Sequence, residues 1–442
     1  MPRLHTVHRL IPVLILAGSL TACPGVSNLL PPPGEEGDGR TNALPTASPD
    51  GDGGLSGGIT DTSDPSVHSG PITGNVTWTK ANSPHIVTDY ISVGSASGAT
   101  LTIEPGVEVR FDPRAGISFG ESNGATGILK AVGTATESIR FTSRSAIKQS
   151  GSWEQLAFFN GSAGSVLEHV TLAYGGGTQR GRQSSMLWLH GEGARPAVRN
   201  CTFEHARGTA ILAENDATFA AFENNTIREV QDLAMVLGAE AAGSLGAGNT
   251  FTTIGNPHIG ILPTSVTRDT RWRNHGIPYL IENEVTVEGL TAPVLTLDPG
   301  STLKFASGGN LYVGWSTGTS GALQAVGTAS SSITFTGVSA EKGAWNHLGL
   351  GPGSVTGSLS NPRSTVLKHV RLQYGGGQAK GSLYILNSQP LLQNVTIDDS
   401  ASHGLFAEGD DTSSIPSQVT LESGVTGSRN DDTLIFRQIL NN

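Results

Sequence analysis

Cysteine and charge are the scarce features of this chain of 442 residues, which has 2 cysteines and 14% charged residues. Two cysteines cannot build a disulfide-dense scaffold. The net charge of −10 provides no basic surface of the kind that binds nucleic acid, so we expect no nucleic-acid partner. Glycine is abundant, with 59 residues, but it follows no three-residue period, and this excludes a collagen-like chain.

The first residues carry the features of a secretion signal. Basic residues precede an apolar run of about 11 residues, which is too short to span a bilayer. The run leads into residues 20–23, Leu-Thr-Ala-Cys, which resemble the lipobox of bacterial lipoproteins. This resemblance implies that residues 1–22 are a signal peptide and that Cys23 is lipidated and anchored in a membrane. Pro24 follows the cysteine instead of Asp, which favours the outer membrane or cell surface. The alternative is an ordinary signal peptide with a chance cysteine.

Residues 23–72 are rich in proline, glycine and aspartate, and they have almost no large apolar side chains after Leu30. Such a segment buries too little surface to offset its chain entropy, so we expect a disordered linker that lifts the folded part off the membrane. Cys201 is then the single unlipidated cysteine. We expect it to be a small buried apolar residue rather than a reactive thiol.

The rest of the chain is a tandem duplication. Residues 78–143 align without a gap with residues 272–337, so we predict a first half at 73–266 and a second half at 267–442. The repeated motifs are L-T-I-E-P-G at 101–106 and L-T-L-D-P-G at 295–300, A-V-G-T-A at 131–135 and 325–329, and Y-G-G-G at 174–177 and 374–377.

A finer period of 24 residues separates the segments that begin at Asn200, Asn224 and Gly248. Short strand-like runs lie between them, and helical periodicity is missing. A constant return of this length places like residues above one another, as parallel in-register strands require, and predicts a solenoid of about 15 coils. We expect the asparagine at the start of each Asn-x-Thr unit to form a hydrogen-bonded ladder along the axis.

Together these motifs resemble large bacterial cell-surface proteins of the pectin-lyase-like superfamily. The segments L-T-I-x-P-G, G-x-L-x-A-x-G-T-A and H-V-x-x-x-Y-G-G carry the resemblance, which covers residues 73–440. It implies an all-β fold: a right-handed parallel β-helix built from the tandem duplication, preceded by the signal peptide and the disordered linker. The superfamily includes lyases, hydrolases, adhesins and passive surface proteins, so the fold alone does not indicate an activity.

The catalytic patterns of this superfamily are not recognisable in the sequence. Asp398 and Asp399, followed by Ser-His-Gly at 402–404, have the residue types of polygalacturonase-type sites, but the family separates those motifs by about one coil. We therefore predict no catalytic, cofactor or metal residues, with calcium expected only if the chain is a lyase. His169 and His369 recur in the two halves, and we expect them to face outward in a local structural role.

Aromatic residues beside a basic loop are the candidate ligand contacts. Trp188 and Tyr384 lie at similar places after the two Y-G-G-G motifs, and Arg180, Arg182 and Lys380 lie in the loops beside them. Flat aromatic rings could stack on sugar rings, and the alternative is that these residues pack in the core or at the ends of coils. We predict a membrane-anchored envelope lipoprotein with a non-catalytic rod, structural or adhesive, that binds a polysaccharide or another envelope component. The alternative is a carbohydrate-active enzyme, resembling a polysaccharide lyase, that acts on an extracellular polysaccharide.

Overall fold

The computed structural model describes residues 64, 66–121, 124–177, 184–378 and 380–440. The predicted signal peptide, Cys23, most of the predicted linker, Arg180 and Arg182 therefore lie outside the described residues. The described residues belong to one compact unit, Asp61–Asn442. Within them, no helix has the length and hydropathy needed to cross a bilayer.

Short strands make up most of this unit. The strands of the first half are β1 (Val67–His68), β2 (Val76–Trp78), β3 (His85–Val87), β4 (Tyr90–Val93), β5 (Ala99–Ile103), β6 (Glu108–Phe111), β7 (Gly116–Phe119), β8 (Gly127–Val132), β9 (Ile139–Ser143), β10 (Leu156–Phe158), β11 (Val166–Glu168), β12 (Val170–Ala173), β13 (Ser185–His190), β14 (Ala197–Arg199), β15 (Thr202–Glu204), β16 (Thr209–Glu214), β17 (Ala221–Glu223), β18 (Thr226–Leu237) and β19 (Thr250–Ile261). Those of the second half are β20 (Ser265–Val266), β21 (Thr270–Trp272), β22 (Tyr279–Ile281), β23 (Glu284–Val287), β24 (Val294–Leu297), β25 (Thr302–Phe305), β26 (Asn310–Val313), β27 (Ala322–Val326), β28 (Ile333–Gly337), β29 (His347–Leu350), β30 (Val366–Gln373), β31 (Leu383–Leu386), β32 (Leu391–Asp398), β33 (Leu405–Gly409), β34 (Val425–Ser428) and β35 (Ile435–Ile439). The helices are α1 (Ala239–Gly243), α2 (Gln418–Gly424) and the 3₁₀ turns Lys80–Asn82 and Asn160–Ser162.

The strands form three faces of a parallel β-helix, because each pairs in parallel with the strand one coil later. Faces of the two halves are named by their equivalence in sequence. The first face holds β2, β5, β8, β11, β14 and β17, then β21, β24, β27 and the starts of β30 and β32. The second face holds β1, β3, β6, β9, β12, β15 and the starts of β18 and β19, then β22, β25, β28, the ends of β30 and β32, and β34. The third face holds β4, β7, β10, β13, β16 and the ends of β18 and β19, then β20, β23, β26, β29, β31, β33 and β35. The structure confirms the predicted all-β parallel β-helix.

Coil length varies more than the sequence period indicated. Val198 pairs with Phe222, 24 residues later, but Ala325 pairs with Leu367, 42 residues later. The period of 24 residues holds where the connections are shortest. The longer loops between other strands lower the number of coils below the predicted 15.

The core consists of apolar side chains that alternate inward along each strand and stack on their equivalents in the next coil. Two tryptophans close this core in equivalent places. Trp153 stacks on Phe111 with ring centroids 4.3 Å apart, and Trp345 stacks on Phe305 at 4.4 Å. The first glycine after the tyrosine of each Y-G-G-G motif lies against these indoles, because a Cβ at Gly175 would meet the ring of Trp153 at 2.9 Å. This position of the repeated motif therefore requires glycine, because any side chain would collide with the indole.

The asparagine ladder exists, but one residue later than predicted. Asn225 Oδ1 accepts a hydrogen bond from the backbone N–H of Cys201 at 2.9 Å, and Asn249 Oδ1 accepts one from the N–H of Asn225 at 3.0 Å. Asn225 Nδ2 also donates to Asn249 Oδ1 at 3.3 Å. The prediction that the first residue of each Asn-x-Thr unit forms the ladder was therefore wrong. The side chain that turns inward is the middle one.

The first residues of those units instead form the corner between the first and second faces. Asn200, Asn224 and Gly248 have left-handed backbone conformations, with φ of 54°, 55° and 77°. His169 and His369 occupy the same corner, with φ of 49° and 48°. Asparagine and glycine tolerate this conformation better than most residues. His169 lies between β11 and β12, and His369 lies at the equivalent bend within β30.

Strands that pair with one another coil after coil form a column along the rod. These columns shift sideways where the two halves meet. The end of β19, on the third face, pairs with β22, on the second face of the next half, through Ile259 with Tyr279. A new column begins at β20, which packs on α1, and the N–H of Thr267 donates to Glu240 of that helix at 2.8 Å. The third face of the first half therefore continues as the second face of the second half. Sequence-equivalent faces are displaced by one position around the rod.

Candidate functional site

Trp188 and Tyr384 occupy equivalent positions on the third face of each half. Trp188 pairs with Ala157 of the preceding coil, and Tyr384 pairs with Gly349. Their neighbours in the strand, such as Leu187, are fully buried in the core, so alternation turns both rings outward. A small residue in the preceding coil leaves space for each ring to lie over the sheet.

The first patch, as we name it, consists of Phe159, Trp188, His190, Glu214 and Asn215. Trp188 Nε1 donates to Glu214 Oε1 at 3.0 Å, and His190 Nδ1 lies 3.2 Å from the same oxygen. Phe159 and His190 each meet the indole edge-on, with centroids 5.3 Å away. Phe159, Trp188, His190 and Glu214 are half-buried, and Asn215 is exposed. The indole therefore presents an apolar surface beside a carboxylate.

The second patch consists of Trp315, His347, Lys380, Tyr384 and Glu408. The hydroxyl of Tyr384 donates to Glu408 Oε1, and Trp315 meets the Tyr384 ring edge-on at 5.3 Å. Tyr384 and Glu408 are mostly buried, whereas Trp315 is half-exposed. Each patch thus pairs an aromatic ring with a glutamate that lies one coil later and accepts its polar hydrogen.

Ion pairing neutralises the cation of the second patch. Lys380 Nζ lies 3.1 Å from Glu408 Oε1 and 3.2 Å from Oε2. The same ammonium lies over the rings of Phe406, at 4.5 Å, and Tyr384, at 5.3 Å, which is cation–π geometry. The predicted basic character of this loop is therefore lost at Lys380, because its charge is directed to a carboxylate of the same surface.

Burial sets the protonation states in the second patch. Burial, reinforced by the hydrogen bond to Glu408, raises the pKa of the Tyr384 hydroxyl far above its usual value. Burial, with the nearby Lys380, lowers the pKa of His347 to about 4. His347 Nε2 lies 2.9 Å from the hydroxyl of Tyr312. At neutral pH the imidazole and the phenol are therefore uncharged, and the patch is an apolar surface with one paired carboxylate.

The aromatic surface extends beyond Tyr384 toward the last described coil. Tyr384 pairs in register with Phe406, which pairs with Phe436. The rings of Phe406 and Phe436 lie 4.9 Å apart, and His403 stacks on Phe436 at 4.6 Å. Phe436 and His403 are half-exposed. The second patch therefore continues as a strip along the rod axis.

The aspartates that the sequence compared with catalytic motifs link successive coils instead. Asp399 forms a bidentate pair with Arg429, at 2.7 Å and 2.6 Å, and this hydrogen bonding lowers the pKa of Asp399. Asp398 lies 3.4 Å from the guanidinium of Arg371. In the part of the chain that the structure describes, no three His, Cys, Asp or Glu side chains are placed to hold a metal ion.

Cys201 has the structural character expected of it. The residue is 1% exposed, and its thiol donates to the carbonyl of Arg199 at 3.1 Å. Burial raises the pKa of this thiol to about 12. It is therefore a protonated core side chain at neutral pH, and not a nucleophile.

Sequence reasoning missed Glu214 and Glu408. Neither lies near its aromatic partner in sequence, since they follow Trp188 and Tyr384 by 26 and 24 residues. This is one coil, so the solenoid period itself could have identified them. Comparison of the chain with protein-family models, curated proteins and solved structures gave no match.

Proposed function

We propose that this chain is a surface-anchored envelope lipoprotein whose β-helix binds polysaccharide without cleaving it. The observation that supports this most directly is the recurrence of one device in both halves: an outward aromatic ring held by a glutamate of the next coil. Membership of the pectin-lyase-like superfamily is part of the proposal, supported by the sequence motifs and by the parallel β-helix.

The chemistry of the patches suits sugar rings. The half-exposed indoles of Trp188 and Trp315 offer flat apolar surfaces, on which the C–H faces of sugars can pack. Glu214 stands beside the first indole and can accept hydrogen bonds from hydroxyl groups, since a carboxylate has several acceptor positions. A ring flanked by such an acceptor recognises both the apolar and the polar side of a sugar.

The charges favour a neutral polysaccharide over an acidic one. Lys380 is paired with Glu408, and Glu214 adds negative charge to the first patch. The chain as a whole has a net charge of −10, which repels polyanions at a distance. We therefore propose an uncharged glycan as the ligand class.

Affinity electrophoresis tests this function. The full chain carrying Cys23→Ser is run through gels that contain a soluble β-glucan, a galactomannan, polygalacturonate or alginate. We expect retardation by a neutral polysaccharide, and loss of most of it when Trp188→Ala and Trp315→Ala are combined. Val76→Ala is the matched control, because Val76 is 38% exposed and lies in β2 on the first face, whereas both patches lie on the third face. Retardation by none of the four polymers would refute the proposal, and depolymerisation of the acidic polymers with calcium would favour the lyase alternative.

The anchor is a separate part of the proposal. Cys23 lies outside the described residues, so its support is the lipobox resemblance alone. We expect palmitate to label the chain in a bacterial host and the label to disappear with Cys23→Ser. The Cys201→Ser variant, which changes the buried cysteine, should keep the label. Equal labelling of the Cys23→Ser variant would contradict the anchor.

A further inference from the structure

We propose that the rod bridges two separate polysaccharide chains, one bound at the first patch and one at the second. This inference rests on the proposed function, since it assumes that each patch binds glycan. The two patches come from the two halves of the tandem duplication. The sequence places the two patches at equivalent positions, and the structure places them on different sides of the rod.

The shift of the strand columns separates the directions in which the patches face. Trp188 lies in the column that passes through β16, β18 and β19 into β22 and β25, which is the second face of the second half. Tyr384 lies in the column that starts at β20 on α1. The two patches are therefore one face apart around the rod.

The column that carries Trp188 offers no path to the second patch. Its next outward residues, Leu212, Val236 and Leu280, are only 4–6% exposed and pack with Leu233 in a small cluster against the indole. Lys304 follows Leu280 in the same column. The exposed apolar surface of the first patch thus ends at Trp188, because the apolar residues that follow it in the column are covered. It does not extend along the second half.

The separation along the axis is large compared with a sugar ring. The register from Trp188 runs through Leu212, Val236, Gly260 and Leu280 to Lys304, and two further coils reach the level of Tyr384. Seven coils at about 4.8 Å each place Trp188 and Tyr384 roughly 34 Å apart along the axis. Trp315 follows β26 in the coil of Lys304, so five coils, roughly 24 Å, separate it from Trp188. A straight glycan that runs along the rod from the first patch reaches the second face of the second half. The second patch lies on the third face of that half. One extended chain therefore does not contact both patches, and the rod is bivalent for two chains.

Particle bridging tests this inference. Two sets of latex particles, one coated with the soluble β-glucan and one with the galactomannan, are mixed with the full chain carrying Cys23→Ser. Turbidity and bound protein are measured together. We expect turbidity to rise with protein concentration and to fall again at excess, because a bivalent linker saturates each particle separately. The single variants Trp188→Ala and Trp315→Ala should each still bind the particles to saturation through the remaining patch, and each should lose most of the turbidity.

The outcomes separate the two proposals. Binding by the original chain without turbidity, or full turbidity with either single variant, overturns the bridging and leaves glycan binding intact. No bound protein on either set of particles overturns both. Light scattering of the chain without particles is the control for self-association, and a monomer that still produces turbidity with both single variants would also count against bridging.

Discussion

The asparagine ladder allows the sharpest test of the structure, because two adjacent asparagines are predicted to behave differently. Asn225 is fully buried and its Oδ1 accepts from the N–H of Cys201, while its Nδ2 donates to the carbonyl of Val198 at 3.1 Å. Asn225→Ala removes the side chain that pairs the buried N–H of Cys201 and the buried carbonyl of Val198, whereas its third partner, Asn249 Oδ1, still accepts from the backbone N–H of residue 225. Each unpaired group costs about 1–3 kcal/mol, so the free energy of unfolding should fall by roughly 2–6 kcal/mol.

Asn224→Ala is the matched control. The Asn224 side chain is exposed, and its φ of 55° is left-handed. Alanine in this conformation costs about 1 kcal/mol, and Asn224→Gly should cost less than that because glycine adopts it freely. Urea unfolding of the three variants, followed by far-ultraviolet circular dichroism, measures the differences. A larger loss from Asn224→Ala than from Asn225→Ala would refute the observed register and restore the one expected from the sequence.

Three further predictions concern single sites. His169→Gly should leave stability within about 1 kcal/mol, since its φ is 49°, whereas the β-branched His169→Val should cost at least about 1 kcal/mol more; equal midpoints in urea for the two variants would contradict this. The Cys201 thiol, in the Cys23→Ser background, should react with Ellman's reagent only after unfolding, and rapid labelling of the folded chain would contradict a buried thiol. Because His347 has a pKa of about 4 in the folded chain against 6.5 when exposed, the unfolded state binds more protons between these values and stability falls as pH decreases from about 6.5 to about 4. His347→Gln should remove about 2–3 kcal/mol of that loss in unfolding measured against pH, and an unchanged slope would count against it.

The sequence predicted the parallel β-helix because its repeats are in register. Leu101 and Leu295 begin equivalent motifs, and each stacks on the leucine of the next coil, Leu129 and Leu323. Repetition at fixed spacing is visible in a single chain, since parallel pairing aligns residues that are already alike. The pattern predicted Trp188 and Tyr384 as equivalent residues for the same reason.

What the sequence did not reveal were contacts made between coils by unlike residues. Glu214 and Glu408 join the patches through hydrogen bonds that cross one coil, and neither belongs to a repeated motif. The ladder was placed one residue early because the alternation that decides which asparagine turns inward depends on a left-handed corner at Asn224. A left-handed residue at a corner changes which of the following side chains point inward. Packing between coils sets the conformation of that corner residue.

The amino-acid sequence by itself determined the local features of this protein: scarce charge, glycine at tight approaches, and a duplicated half with equivalent aromatic positions. The tertiary structure alone decided where those equivalents point. The end of β19 pairs with β22, and β20 packs on α1, so the second half is displaced by one face. The physical reason is that strand pairing follows the nearest free edge, which sequence equivalence does not specify, and α1 occupies the position from which the new column starts.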